Sequence, residues 1–91
     1  MKEKKDLSSD YSENSNVVDC KGFSKATFYY EGNDDCKMFI EGSYDKIKFF
    51  KYKNPEIILE NQTRYEIDIA DYYLRISLKG QGKSNLILIL S

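Results

Sequence analysis

Glu66 and Asp68 stand two residues apart in a segment whose apolar side chains fall at Tyr65, Ile67 and Ile69. On an extended chain that spacing puts both carboxylates on one outward face, within reach of each other, as a general acid–base pair would require. A general acid also needs a desolvated pocket to raise one of the two pKa values, and an exposed strand face provides none. Asp34, Asp35 and Asp45 offer oxygen ligands to a hard cation but follow no calcium-loop pattern, and aspartate at such places is the ordinary residue of turns. The chain has no histidine, and its two cysteines, Cys20 and Cys36, form no Cys-x-x-Cys pair, so a zinc centre lacks ligands. No catalytic residue, metal ligand set or cofactor motif is therefore expected. The chain reads as a non-enzymatic protein that works through its surfaces.

Tyrosine is the residue in excess, with eight copies against no tryptophan. It lays an apolar ring on a strand and still offers a hydroxyl to a partner. Tyr29, Tyr73 and Arg75 are expected to point outward, and Tyr and Arg concentrate binding energy at protein interfaces. Aromatic rings also stack on sugars, which makes a glycan the second partner to consider. The competing expectation is that Arg75 pairs with Glu66 or Asp68 across strands. Lys48, Phe50 and Tyr52, with Lys51 and Lys53 beside them, form a basic aromatic stretch like a nucleic-acid stacking surface. The overall charge speaks against that partner: 14 basic residues meet 15 acidic ones for a net −1, without the basic excess phosphate binding needs. Phe50 and Tyr52 are expected to meet an adjacent strand, another protein or a glycan.

These side chains have to be positioned by strands. From residue 24 to the end the chain repeats one pattern, a run of four to eight residues with apolar side chains at every second place, then a polar turn. The pattern predicts strands over residues 26–31, 36–41, 47–53, 56–60, 65–69, 72–79 and 85–90, with a short first strand over 17–20 and no helix. Residues 32–35 and 80–85 read as hairpin turns, and Asn54-Pro55 breaks the ladder between two strands because proline has no amide proton to give. The predicted core gathers Phe28, Ile40, Phe49, Ile67, Leu74, Ile76 and Leu88, and Ile47 is expected to face inward with Phe49.

With 91 residues there is one domain, a small antiparallel β-sandwich of about eight strands over 17–91. Residues 1–16 carry only Leu7 and Tyr11 as large side chains, and read as a flexible N-terminal arm. The start is charged and is not followed by an apolar stretch, so no signal peptide is read and synthesis in the cytoplasm is expected. The longest apolar run, residues 86–90, is too short to cross a bilayer as a helix, and no membrane partner is expected. Without an export signal the two cysteines are expected to be free. That last run breaks the alternation: if Leu86, Leu88 and Leu90 fill the core, Ile87 and Ile89 face the other way. Either part of the same chain covers them or they are an assembly interface, which would make the protein a homo-oligomer or part of a larger assembly.

The series Val18-Asp19-Cys20-Lys21-Gly22-Phe23-Ser24-Lys25-Ala26-Thr27-Phe28, then Met38-Phe39-Ile40-Glu41-Gly42-Ser43-Tyr44-Asp45, then Tyr65-Glu66-Ile67-Asp68-Ile69-Ala70-Asp71-Tyr72-Tyr73-Leu74-Arg75-Ile76, and a Gly-rich loop into an apolar strand, resembles the small jelly-roll-like β-sandwich modules of tailed-phage structural proteins. The resemblance spans about residues 17–91. Lys46 departs from it, standing where the modules often have glycine, and the connection from Phe50 to Thr63 is short. What the resemblance implies is a virion component, such as a tail, baseplate, fibre-associated or capsid-decorating protein, whose partners are virion proteins or copies of itself. Related sandwiches occur in sugar-binding modules, so a carbohydrate-binding or adhesion module is one alternative. A small intracellular inhibitor of a bacterial defence complex is another.

Overall fold

The computed structural model describes residues 2–8, 13–32, 36–80 and 84–91, and these form eight strands, most of them with apolar side chains at alternate positions. They are β1 (Glu3–Asp6), β2 (Glu13–Asp19), β3 (Lys25–Gly32), β4 (Cys36–Ser43), β5 (Phe50–Leu59), β6 (Thr63–Asp68), β7 (Tyr73–Lys79) and β8 (Ser84–Leu90). All pairings are antiparallel, in two four-stranded sheets ordered β1-β8-β3-β6 and β2-β7-β4-β5. This is the jelly-roll winding: successive strands alternate between sheets except for β4 and β5. The expected all-β sandwich is what the chain forms.

Each sheet turns its alternate side chains inward. Phe28, Tyr30, Leu86, Leu88 and Leu90 from the first sheet meet Met38, Ile40, Leu59, Leu74 and Ile76 from the second, all essentially excluded from solvent. Five of the seven side chains expected in the core are fully buried there. Ile67 is half-buried against its margin. Phe49 is not in the core: it lies outside β5 under the Arg75 guanidinium, 4.2 Å from its ring centroid.

Several expectations about the chain path need correction. The described residues of 1–16 belong to the sandwich and not to a separate arm. Glu3–Asp6 pairs with β8, β2 begins at Glu13, and Leu7 is buried in the core. The turns after β3 and β7 do not close hairpins, because the strands on either side lie in different sheets. Asp34 and Asp35, with part of the Gly-rich loop, lie outside the described residues. Asn54-Pro55 does not end a strand; β5 runs through it, and the irregularity appears as a shift of register, with Phe39 opposite Glu56 but Glu41 opposite Lys51. Ile47 is 79% exposed in the turn before β5, not inward.

That turn shows why the segment Glu41-Gly42-Ser43-Tyr44-Asp45 has its composition. The buried Ser43 hydroxyl donates to Asp45 Oδ1 at 3.0 Å and accepts the Lys46 amide at 2.8 Å. Asp45 Oδ1 in turn accepts the amides of Ile47 and Lys48, each at 2.9 Å. Those two amides hold the Asp45 carboxyl below its ordinary range, with the Ser43 hydroxyl adding to the effect. Lys46 takes φ 67°, the left-handed conformation that glycine occupies without strain. Four residues earlier, a Cβ at Gly42 would overlap the Asp71 carboxylate and come within 2.9 Å of the Tyr52 ring. Any side chain there would have to displace Asp71 and the Tyr52 ring.

Candidate interaction surface

The register of β8 between β1 and β3 decides what surrounds the isoleucines. On the face turned away from the core, Ile87 stands between Asp6 of β1 and Tyr29 of β3, and Ile89 stands between Lys4 and Thr27. Both are half-buried. Their neighbours on β1 are charged, so that strand flanks them without roofing them. Tyr29, 46% exposed, adjoins Arg64 of β6 on its other side. A row Asp6, Ile87, Tyr29, Arg64 therefore crosses the whole sheet, with Lys4, Ile89, Thr27, Glu66 as the next row.

Beside Tyr29 the surface sinks into a shallow hollow of about 370 Å³, bounded by Ile87 and rimmed by Glu31, Gln62, Arg64 and Asn85. An aromatic ring and a branched aliphatic side chain form its apolar floor, and a carboxylate, two amides and a guanidinium stand at its edge. Such a combination offers a ligand both burial and hydrogen bonding. Sequence alone does not gather the rim residues, because only the strand register brings Arg64 and Asn85 to Tyr29; their outward places on β6 and β8 are the signal it offers.

The remaining candidates lie elsewhere. Tyr73 and Arg75 project from β7 on the outer face of the opposite sheet, so Tyr29, Tyr73 and Arg75 do not form one surface. Arg75 does not pair with Glu66 or Asp68, which belong to the other sheet. Its Nη2 and Nε donate to Glu41 Oε1 at 2.8 and 3.0 Å across the β4–β7 ladder. The guanidinium is thus occupied by Glu41 and by the face of Phe49. The Tyr73 ring has the ammonium groups of Lys21 and Lys46 over it at 5.1 and 5.9 Å. Phe50 is exposed and stacks on Tyr44 with centroids 6.3 Å apart.

Tyr52 is not an outward residue. The register shift in β5 turns it onto the core, and burial pushes its phenol up to about 12. Its hydroxyl is buried with no hydrogen-bond partner among the described residues.

The geometry of the ionisable groups suits structure. Glu66 accepts from Lys25 Nζ at 3.4 Å and from the Thr27 hydroxyl at 3.3 Å, on an exposed face. Among the described residues no three His, Cys, Asp or Glu side chains are placed to hold a metal ion. Cys20 and Cys36 are free thiols, and burial raises both, Cys20 to about 11.

No protein-family model matches the chain, and no curated protein matches it. Among solved structures it is similar to the crystal structure of the SPBc2 prophage-derived protein YomS, with a TM-score of 0.73 over 99% of this chain and 94% of that one. The two are 10% identical, so what they share is the fold.

Proposed function

We propose that this protein is a non-enzymatic structural component of a phage particle and that the outer face of the β1-β8-β3-β6 sheet docks it onto a neighbouring protein. The observation that carries the reading is the apolar centre of that face: Ile87 and Ile89 side by side on β8, with Tyr29 across from Ile87. Full burial of such side chains contributes roughly 1.5–3 kcal/mol each, and here part of that remains to be gained by contact. Support for the phage setting comes from the motif resemblance and from the end-to-end fold likeness to a prophage-derived protein. The residues of the motif account for the fold's turns and close approaches, which fits a scaffold that presents surfaces. The test is mass spectrometry of particles purified on a density gradient from the host that encodes the chain. The reading expects the chain in fixed ratio to the major virion proteins; its absence from particles in cells that make it overturns the reading.

The hollow beside Tyr29 favours a second reading, a glycan-binding module. A ring flanked by carboxylate, amide and guanidinium groups matches the stacking and hydroxyl recognition that sugars need. Retention on a glycan array that disappears in Tyr29→Ala would support it.

A further inference from the structure

A sandwich of two open sheets has four edge strands, and three of them carry a device against pairing with another chain. On β1, Glu3 and Lys5 occupy the positions opposite core residues Leu90 and Leu88, and their ion pair of 2.7 Å places charge at the seam. On β2 the corresponding inward places opposite Leu78 and Ile76 hold Asn14 and Asn16. β5 contains Pro55 and the register shift. β6 has none of these. Its six residues run regularly along β3, with Tyr65 and Ile67 inward and only half-buried at the open seam.

The free side of β6 also has a defined hydrogen-bonding parity. The Ile69 amide donates to Ser24 O at 2.8 Å, so Ile67, Tyr65 and Thr63 bond toward β3 in the same ladder. The amides and carbonyls of Arg64, Glu66 and Asp68 therefore point away from the sheet.

We infer that β6 pairs antiparallel with β6 of a second copy, about a two-fold axis at Tyr65, joining two four-stranded sheets into one of eight strands. The charges choose this register. With Tyr65 opposite the partner's Tyr65, Arg64 faces the partner's Glu66 and Glu66 faces the partner's Arg64, on the face where Arg64 has no ion-pair partner among the described residues of its own chain. Sliding the partner by two residues one way sets Glu66 against Glu66 between two Arg64–Asp68 pairs, and the other way sets Arg64 against Arg64, so the Tyr65 register alone of these three opposes no like charges. The contact is isologous and closes at two copies. It covers the half-exposed Tyr65 and Ile67 and satisfies backbone groups that the edge leaves to water. The outer faces become continuous across the axis, so the docking face described above is presented twice.

The test is sedimentation equilibrium of the full chain with charge reversals at two exposed positions, where folding is not at stake. Wild type should dimerise, and Arg64→Glu and Glu66→Arg should each weaken the dimer at least about tenfold, because each sets like charges opposite one another twice. Mixing the two variants should restore a heterodimer, and the double exchange Arg64→Glu with Glu66→Arg should restore the homodimer. A monomeric wild type at the highest soluble concentration overturns the inference. So does dimerisation that neither single reversal weakens, or failure of the mixture to associate. Loss of the dimer in Ile87→Lys/Ile89→Lys with no effect of either reversal assigns self-association to the outer face and overturns it as well.

Discussion

Tyr29 of β3 and Ile87 of β8 lie directly opposite each other on the sheet face turned away from the core. Their pairing makes one surface of two features that sequence presents 58 positions apart, a recognition-type aromatic and the strand that breaks alternation. Because Leu86 and Leu88 on either side of Ile87 are fully buried, the isoleucine cannot turn inward without emptying the core. The outer apolar row is thus a consequence of the inner one.

The turn after β4 should respond to its backbone conformation. Lys46 sits at φ 67°, where an L side chain costs roughly 1–2 kcal/mol and glycine's looser unfolded state costs about 0.5–1. Lys46→Gly should raise stability by roughly 0.5–1 kcal/mol in urea unfolding. Lys46→Ala keeps the strain and loses the ammonium over Tyr73, so it should gain nothing. Equal gains from both variants would refute backbone strain as the cause.

Asp45 should make that turn sensitive to acid. The amides of Lys48 and Ile47 lower its folded pKa below the unfolded value, so its contribution is present above the unfolded pKa and is lost as pH falls through the folded one. The stability gap between wild type and Asp45→Ala is expected to be widest at neutral pH and to narrow under acid. A gap that stays constant with pH counts against the carboxylate.

Both thiols should be slow to react in the native state. Burial raises Cys20 to about 11 and shifts Cys36 the same way, leaving little thiolate at neutral pH. A disulfide-exchange reagent should modify neither until the protein is denatured, and then both. Recovery of a Cys20–Cys36 disulfide from reducing cytosol would contradict this.

Ile76 is 1% exposed, between Asn16 and Ile40 on its neighbouring strands. Truncation to Ala should cost about 2–5 kcal/mol, a large share of the stability of a domain this size. A loss well below 1 kcal/mol would mean that the core is not packed as described.

The strands that one reads from this sequence are those with apolar side chains at alternate positions, as in β3, β6 and β7, and β8 is read from its inner leucines although its outer places are apolar too. β1 does not: Glu3, Lys4, Lys5 and Asp6 have no apolar period, and their strand exists because β8 offers a free edge. Turn composition told where the chain bends but not whether it returns beside itself or crosses to the other sheet, so two crossings read as hairpins. Phe49 and Tyr52 take the faces opposite to those their local pattern predicts, for a related reason. Ser43 and Asp45 close a turn that takes Ile47 and Lys48 out of the strand, and the shift opposite Ile40 then changes the phase. Tyr29, Ile87 and Ile89 were legible as outward residues, whereas their adjacency, and that of Arg64, depends on strand order, which local pattern does not contain.

The central claim is that the Ile87 and Ile89 face docks this protein into a larger particle. It is tested most directly by supplying Ile87→Lys/Ile89→Lys in place of wild type and measuring the amount of chain in gradient-purified particles, with circular dichroism confirming the β-fold. The account predicts a folded variant that is depleted from particles. A folded variant incorporated at the wild-type level would contradict it.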